Sequence, residues 1–282
     1  MKFSIITPSF RGGQWLKLCL ASVADQGVEL EHIVQDSCSD DGTQDWLPND
    51  TRVKAFIEKD HGMYDAVNRG LRRSDGEILA YLNCDEQYLP GALCAVERFF
   101  AANPEVDVAF GDAVVVGPSG EYICERRALT PQRAHSLVSG NLAFLTCATF
   151  FRRRILERGD LYFDAKLRDV GDVAWGLKLI ESRARMGLLP AFTTAFTDTG
   201  ENMNLRENAR REKRALLSSA PKWAQWLRPL VILHFRLRRW SAGHYSPQLR
   251  EYAIFTGDSP SSRRTFRIER PTYRWQRSAA SF

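Results

Sequence analysis

Apolar and polar positions alternate in blocks over residues 3–82, and the period of each block assigns it an element. Phe3 to Thr7 is a solid run of strand length that stops at Pro8. Trp15, Leu18, Cys19 and Val23 then recur at helical spacing, and Glu31–Gln35 makes a second strand. A short helix runs through Trp46 and Leu47, and Val53–Glu58 is a third strand. Met63, Val67 and Leu71 mark one helix face, Asp75-Gly76 supplies a turn, and Ile78–Leu82 is a fourth strand. Strands separated by helices predict a mostly parallel, doubly wound half. Pro90 suits the first turn of a further helix carrying Leu93, Val96, Glu97 and Phe100.

The pattern changes after that helix. Val106–Asp112 and Ala113–Val116 are strand-like, Gly117–Gly120 is a turn and Glu121–Cys124 returns, so the second half is predicted to be antiparallel. Residues 127–146 show no clean period and read as a mobile loop over a site. The expected fold class is therefore α/β: a Rossmann-like mixed sheet flanked by helices, followed by a helical or irregular extension.

Polar loops gather where the strands run out. Thr7–Gly13, Asp36–Thr43, Lys59-Asp60 and Asn83-Cys84-Asp85-Glu86 each follow a predicted strand. In open α/β sheets ligands bind in the crevice at the strands' carboxyl ends. Neither Gly-x-Gly-x-x-Gly nor a Walker Gly-Lys-Ser/Thr is present, which argues against a dinucleotide oxidoreductase or a P-loop enzyme. At Asp36 a carboxylate can accept the imide N–H of uracil or thymine, while Asp36, Asp40 and Thr43 equally suit a turn and a helix cap.

Composition adds little that is unusual. A chain of 282 residues suits one sizeable domain with an appendage, and its apolar and charged fractions are ordinary. Its six cysteines form neither a CxxC pair nor a dense framework, so reduced thiols in a cytoplasmic enzyme are expected. Phe3–Ile6 is too short for a signal peptide, and no run has the ~18 apolar residues of a spanning helix.

The run Asp60-His-Gly-Met-Tyr-Asp-Ala-Val-Asn-Arg-Gly70, the Gly76-Glu77 before a strand, and Leu82-Asn-Cys-Asp-Glu86 together resemble the family-two, GT-A-fold inverting glycosyltransferases, including those of bacterial cell-envelope polysaccharides. Thr7-Pro-Ser-Phe10 is similar to the family's opening segment, and Asp36-Ser-Cys-Ser-Asp-Asp-Gly-Thr43 to its second motif. Ala148-Thr-Phe-Phe-Arg-Arg153 resembles a later strand of the family, except that Thr146-Cys147 stand where His-Gln is usual. Phe163-Asp164 and Arg168–Ile180 resemble the segment that carries the acceptor-activating carboxylate, with Gly171 in place of a frequent Glu or Ala.

The resemblance implies a division of labour. Thr7, Pro8, Ser9, Phe10, Asp36, Ser37, Asp60, Gly62, Asn68, Asn83 and Cys84 would hold a nucleotide-sugar, with UDP favoured. Asp85 would bind Mn²⁺ or Mg²⁺ as Lewis acid and template for the diphosphate. Glu86 and Asp112 would face the donor sugar or acceptor. Asp172 would be the general base of a single in-line displacement, with a helix N-cap as its plainer role and Asp169 as the alternative register. Residues 1–104 form the expected nucleotide half, 105–215 the acceptor half and 216–282 the extension. A nucleotidyltransferase, or an inactive relative that binds a nucleotide, glycan or protein, is the competing reading.

Net charge is only +5, yet the basic residues crowd toward the end. Arg206, Arg210, Arg211, Lys213 and Arg214 predict a polar helix ended by Pro221. From Lys222 to Trp240, tryptophans and leucines alternate with Lys222, Arg228, Arg236, Arg238 and Arg239, and Pro229 kinks or restarts the helix. This composition suits peripheral contact at the cytosolic face of the inner membrane, or else a cap on the core or an oligomer contact. It lacks a nucleic-acid fold, so no nucleic-acid partner is expected. A glycan or lipid-linked acceptor is the expected partner, and residues 256–282 read as loosely ordered or peripheral.

Overall fold

The computed structural model describes residues 1–159, 161–200 and 207–275. Its strands are β1 (Phe3–Ser9), β2 (Leu30–Asp36), β3 (Lys54–Ile57), β4 (Ile78–Tyr81), β5 (Gln87–Tyr88), β6 (Val108–Val116), β7 (Tyr122–Arg126), β8 (Thr149–Arg152), β9 (Met186–Thr197), β10 (Glu251–Thr256) and β11 (Ser259–Arg267). The helices are α1 (Gly13–Ala24), α2 (Thr43–Trp46), α3 (Met63–Arg73), α4 (Ala92–Ala102), α5 (Arg133–Ser139), α6 (Arg154–Gly159), α7 (Gly171–Glu181), α8 (Glu207–Ser219), α9 (Lys222–Trp226) and α10 (Arg228–Ser241).

Among the described residues, nine strands join one sheet in the order β3-β2-β1-β4-β8-β6-β9-β5, with β7 added on β6. β3, β2, β1 and β4 are parallel, as βαβ crossovers require. β8 then runs antiparallel to both β4 and β6, and β6 pairs in parallel with β9. The mixed sheet matches the predicted fold class, but its second half is not wholly antiparallel: β9, which the pattern does not show, pairs with β6 in parallel.

Alternate residues of each strand serve opposite faces. Phe3, Ile5, Ile78 and Ala80 pack with Cys19, Val23, Leu93 and Phe100 under α1 and α4. Ile6, Leu79 and Tyr81 pack with Val67, Leu71, Phe151 and Trp175 under α3 and α7. Both faces are covered, which is why β4 reads as a nearly continuous apolar run.

Several expectations need correction. β1 continues through Pro8 to Ser9: β4 pairs it only from Phe3 to Ile6, so at Pro8 the strand is paired on the β2 side alone and behaves as an edge. Pro90 precedes rather than opens α4, whose cap is Gly91. Residues 127–146 are no mobile loop: they include α5, whose Leu137 and Val138 pack with Leu177, Ala220 and Ala224. The stretch from 256 to 275 is not peripheral either. The β10–β11 hairpin buries Tyr252, Ile254 and Ile268 against Leu89, Val114, Val116 and Ala195. The Gln87 amide donates to Phe255 O at 2.9 Å and accepts from Phe255 N at 2.9 Å, stitching the hairpin to β5. Arg206 and residues 276–282 lie outside the described residues.

Candidate active site

The loops that follow β1 to β4 converge at the strands' carboxyl ends. Ser37 N donates to Ser9 O at 2.8 Å, and Asp60 N to Ser37 Oγ at 3.3 Å. Arg11 N donates to Ser39 Oγ at 2.8 Å, while its guanidinium grips both oxygens of Asp40. Lys59 Nζ stands 5.1 Å from the centre of the Phe10 ring, which is 51% exposed at the rim. Gly12 is wedged between Ser9 Oγ and Cys84 Sγ, so the first loop also meets the fourth.

Local backbone geometry marks the same corner. Arg11 and Cys38 hold positive φ angles of 53° and 56°, conformations that non-glycine residues adopt at a cost of about 1–3 kcal/mol and that gather at functional sites. Gly62, at φ 126°, caps α3 where a side chain would be strained, and its N–H reaches Asp60 Oδ1 at 2.8 Å. Ser9 Oγ is buried with no hydrogen-bond partner, an orphan that a ligand in the crevice would satisfy.

Asp36 is fully buried at the end of β2. Its carboxylate accepts from Ser39 N at 2.8 Å and Ser39 Oγ at 2.7 Å, the bonding of an Asp-led turn. A carboxylate has about four lone-pair directions, so these two bonds leave acceptor capacity.

Asp85 and Glu86 follow β4. Asp85 is half-buried, forms no ion pair and receives no hydrogen bond from another described residue. Loss of solvation raises its carboxyl above the ordinary range. Glu86 is buried, and desolvation followed by the Asp85 charge pushes it up to about 8. Its Oε2 accepts from Asn83 N at 2.8 Å, closing the turn and turning the carboxylate inward beside Cys147.

Among the described residues, no three His, Cys, Asp or Glu side chains cluster closely enough to hold a metal alone. The donor set nevertheless fits a hard divalent ion that takes one carboxylate from the protein and the rest from substrate phosphates and water. Asp85 is the unpaired oxygen donor at the crevice, with Asn83 and Glu86 next to it.

Asp172 sits in the first turn of α7, after the cap residue Val170, so it is not the N-cap. Burial pushes its carboxyl up to about 6, against Val173 N and a more distant Lys213 charge. Tyr64 connects it to the rest of the site: its hydroxyl accepts from Asp172 N at 3.1 Å. A Cβ on Gly171 would come within 2.5 Å of the Tyr64 ring, which explains why a larger residue is absent there. Tyr81, the last residue of β4, packs edge-on against the Phe163 ring, on which Tyr64 stacks. Asp169, by contrast, is occupied by Asn208 Nδ2 at 2.7 Å.

Other sequence-derived positions already have protein partners. Thr7 Oγ1 is buried against His32 Nε2 at 2.8 Å, on the same face of β1 as Ser9 but two residues short of the strand's end, under Cys19 of α1. Asn68 uses both ends of its amide on the backbone of Phe163, at 2.8 and 2.9 Å, as a structural clamp. Asp112 accepts from Ala128 N at 2.9 Å and faces Arg127, and burial raises it to about 6. Sequence reasoning missed Tyr64 and Tyr81, although Tyr64 lies inside the Asp60–Gly70 run and Tyr81 directly precedes the acidic turn.

Comparison with known proteins follows this geometry. The sequence profile described as Glycosyl transferase family 2 matches residues 4–159. A PGL/p-HBAD biosynthesis glycosyltransferase of Mycobacterium bovis is 32% identical over 120 residues, covering 40% of this chain and 47% of that protein. A GalNAc(5)-diNAcBac-PP-undecaprenol beta-1,3-glucosyltransferase of Campylobacter jejuni is 31% identical over 121 residues, covering 40% and 38%. The chain thus spans under half the length of these curated relatives. Among solved structures, the S. aureus TarS fragment 1–349 in complex with UDP-GlcNAc superposes with a TM-score of 0.60 at 19% identity, covering 86% of this chain and 73% of that one. Mannosyltransferase PcManGT from Pyrobaculum calidifontis, in complex with GDP-Man and Mn²⁺, gives a TM-score of 0.54 at 19% identity, covering 86% and 75%. The architecture is that of the GT-A fold.

Proposed function

The chain belongs to glycosyl transferase family 2, and from that premise we propose that it transfers a sugar from a nucleotide-sugar donor, a UDP-sugar favoured, to a hydroxyl of a glycan or lipid-linked acceptor with inversion. In this reading residues 1–104 bind the nucleotide and 105–215 the acceptor, with 216–282 as a C-terminal extension. The observation that carries it is the convergence of the Ser9, Asp36, Asp60 and Asp85 loops at the carboxyl ends of the strands, with Asp172 bonded to Tyr64, whose ring shares Phe163 with Tyr81 at the end of β4. The solved likenesses with UDP-GlcNAc and with GDP-Man and Mn²⁺ support a nucleotide-sugar and a divalent ion.

Asp36 and Ser37 bind and orient the base, and Ser9 and Phe10 flank it. Asp85, assisted by Asn83, would hold Mg²⁺ or Mn²⁺; when bound, the ion neutralises charge developing on the diphosphate. Asp172 takes the proton of the acceptor hydroxyl as its oxygen bonds to the anomeric carbon, and the carbon–oxygen bond to the nucleotide diphosphate breaks with its electron pair leaving on that group. With its carboxyl pushed up to about 6, Asp172 is a better base than an exposed aspartate yet remains ionised at neutral pH. Tyr64 fixes the helix turn that presents it.

The test is to incubate the protein with a panel of nucleotide sugars and Mn²⁺ and measure released nucleotide. Turnover with one donor class supports the reading; binding without release across the panel and a range of acceptors would reduce the protein to a nucleotide- or glycan-binding module. Asp85→Ala is expected to abolish the Mn²⁺-dependent part of nucleotide affinity while leaving the thermal midpoint nearly unchanged. Unaltered affinity at saturating Mn²⁺ would remove Asp85 from the ion.

A further inference from the structure

The helices α9 and α10 carry apolar side chains on the wrong side for a core. Trp226, Leu230, Leu233, Leu237 and Trp240 are 83%, 57%, 50%, 55% and 70% exposed. Their spacing of four, three, four and three residues sets Leu230, Leu233, Leu237 and Trp240 along one stripe of α10. The opposite side of the helix is already engaged. Val231 and Ile232 pack with Leu137, Val138 and Leu177, Phe235 stacks on His135 with ring centres 3.6 Å apart, and Arg238 donates to Thr130. The stripe is therefore a second apolar face, uncovered among the described residues. A contiguous patch of that kind marks a contact surface.

Charge selects the occupant. No Asp or Glu occurs between Glu212 and Glu251. Lys222 is a helical neighbour of Trp226, Arg236 neighbours Leu233 and Trp240, and both cations are exposed. A second copy pairing through the same stripe would juxtapose like charges with no acid in the segment to meet them. Nucleic acid would meet the cations but leave the leucines in water. An anionic bilayer surface satisfies both: the apolar stripe enters the acyl boundary, indole rings settle at headgroup depth, and the cations meet lipid phosphates. Among the described residues no helix is long and apolar enough to cross a membrane, so the contact lies on the surface.

The same helical bundle bears the proposed base. Glu212 of α8 accepts from the backbone N–H groups of Arg168, Asp169 and Val170, the segment that leads into α7 and Asp172. Leu177 of α7 shares its packing cluster with Leu216, Val231 and Ile232. We propose that the α9–α10 stripe docks on an anionic lipid surface and thereby brings a membrane-held acceptor to the Asp172 side of the sheet. What the membrane delivers rests on the transferase reading; the docking itself does not.

Co-sedimentation tests the docking directly, using the full chain and vesicles of phosphatidylcholine with roughly one third phosphatidylglycerol. Most of the protein is expected to pellet, with about tenfold less on pure phosphatidylcholine and clear release as salt rises. The triple variant Trp226→Ser/Leu233→Ser/Trp240→Ser changes only exposed side chains and is expected to keep the helical circular dichroism spectrum while binding falls about tenfold. Arg236→Glu, a milder change, should weaken binding several-fold and mainly at low salt. Wild-type protein that stays in solution with anionic vesicles, or a triple variant that binds as well as wild type, overturns the proposal. So does a dimer that the triple variant dissolves while neither form binds vesicles. Released nucleotide is measured separately: vesicle binding without donor turnover upholds the docking and counts against the transfer reading, and turnover without vesicle binding does the reverse.

Discussion

Three carboxylates that look alike in the sequence acquire different chemistry from their surroundings. Asp36 is tied into a turn by Ser39, Asp85 has no hydrogen-bond or ion-pair partner among the described residues, and Asp172 is desolvated at the start of a helix. Burial raises Asp172 to about 6, so it holds a proton more tightly than in the unfolded chain. By linkage the folded state is favoured while that carboxyl is protonated, and loses this advantage as pH rises from the ordinary carboxylate range through about 6. As a base it works only above that range. The kcat/KM profile is therefore expected to show an acid limb with a midpoint near 6, and Asp172→Asn to lower kcat by about 10²–10⁴-fold with donor affinity little changed. Because the substitution removes a buried charge, the thermal midpoint at neutral pH should not fall. Parallel loss of donor affinity and turnover would instead make Asp172 a scaffold residue.

At the scale of elements, the strands and helices of the first half were legible because their buried faces impose a clean period; Asp36, Asp60 and Asp85 stood out at the ends of those strands, while the roles of the acids, and Asp172 altogether, came from the family resemblance. What the pattern could not carry was depth and company. Thr7 and Ser9 both lie in the opening motif, yet Thr7 bonds His32 in the core while Ser9 Oγ lies unpaired against the crevice loops. Asn68 reads as a ligand residue but its amide is spent on Phe163, a partner 95 positions away that no local pattern reveals. Glu31 is a further case of hidden company. It lies on β2 and accepts from Ser4 of β1, from Asp75 N in the turn before β4 at 2.7 Å, and from Lys54 of β3 at 2.6 Å. Burial pushes its carboxyl up, but these partners together win and hold it at about 2. The resulting stability is fully present above the unfolded value of 4.5 and is lost as pH falls toward 2. Glu31→Gln is expected to cost about 2–3 kcal/mol in urea unfolding at neutral pH. The gap from wild type should narrow at about pH 3; an equal gap at both pH values would deny the ionised Glu31 this fastening role.

At the scale of the whole molecule, the final hairpin is the largest departure from the sequence reading. Residues 256–275 look peripheral because β11 alternates serines and arginines, and its strand signal emerges only when the partner surface is seen. Arg263 shows how a polar strand can still anchor a core. Its guanidinium meets both oxygens of Asp25 at 2.6 Å and donates to the carbonyls of Tyr88 and Ala253 at 2.8 and 3.0 Å, joining β11 to β5 and to the end of α1. The Arg263 side chain is 11% exposed and that of Asp25 38%, so its bonds to the two carbonyls are the shielded part of this anchor. Removing it takes a donor from the Tyr88 and Ala253 carbonyls and leaves Asp25 to Gln26 and water, and Arg263→Ala is expected to destabilise by about 1–2 kcal/mol. The hairpin also covers Leu89, Val114, Val116 and Ala195 on the main sheet, so its loss should be felt by the whole fold. Chemical unfolding followed by both tryptophan fluorescence and circular dichroism should accordingly give one coincident transition that Arg263→Ala shifts as a unit. Two transitions, of which only the earlier responds to Arg263→Ala, would mean that the hairpin folds apart from the sheet and that the extension is an independent appendage.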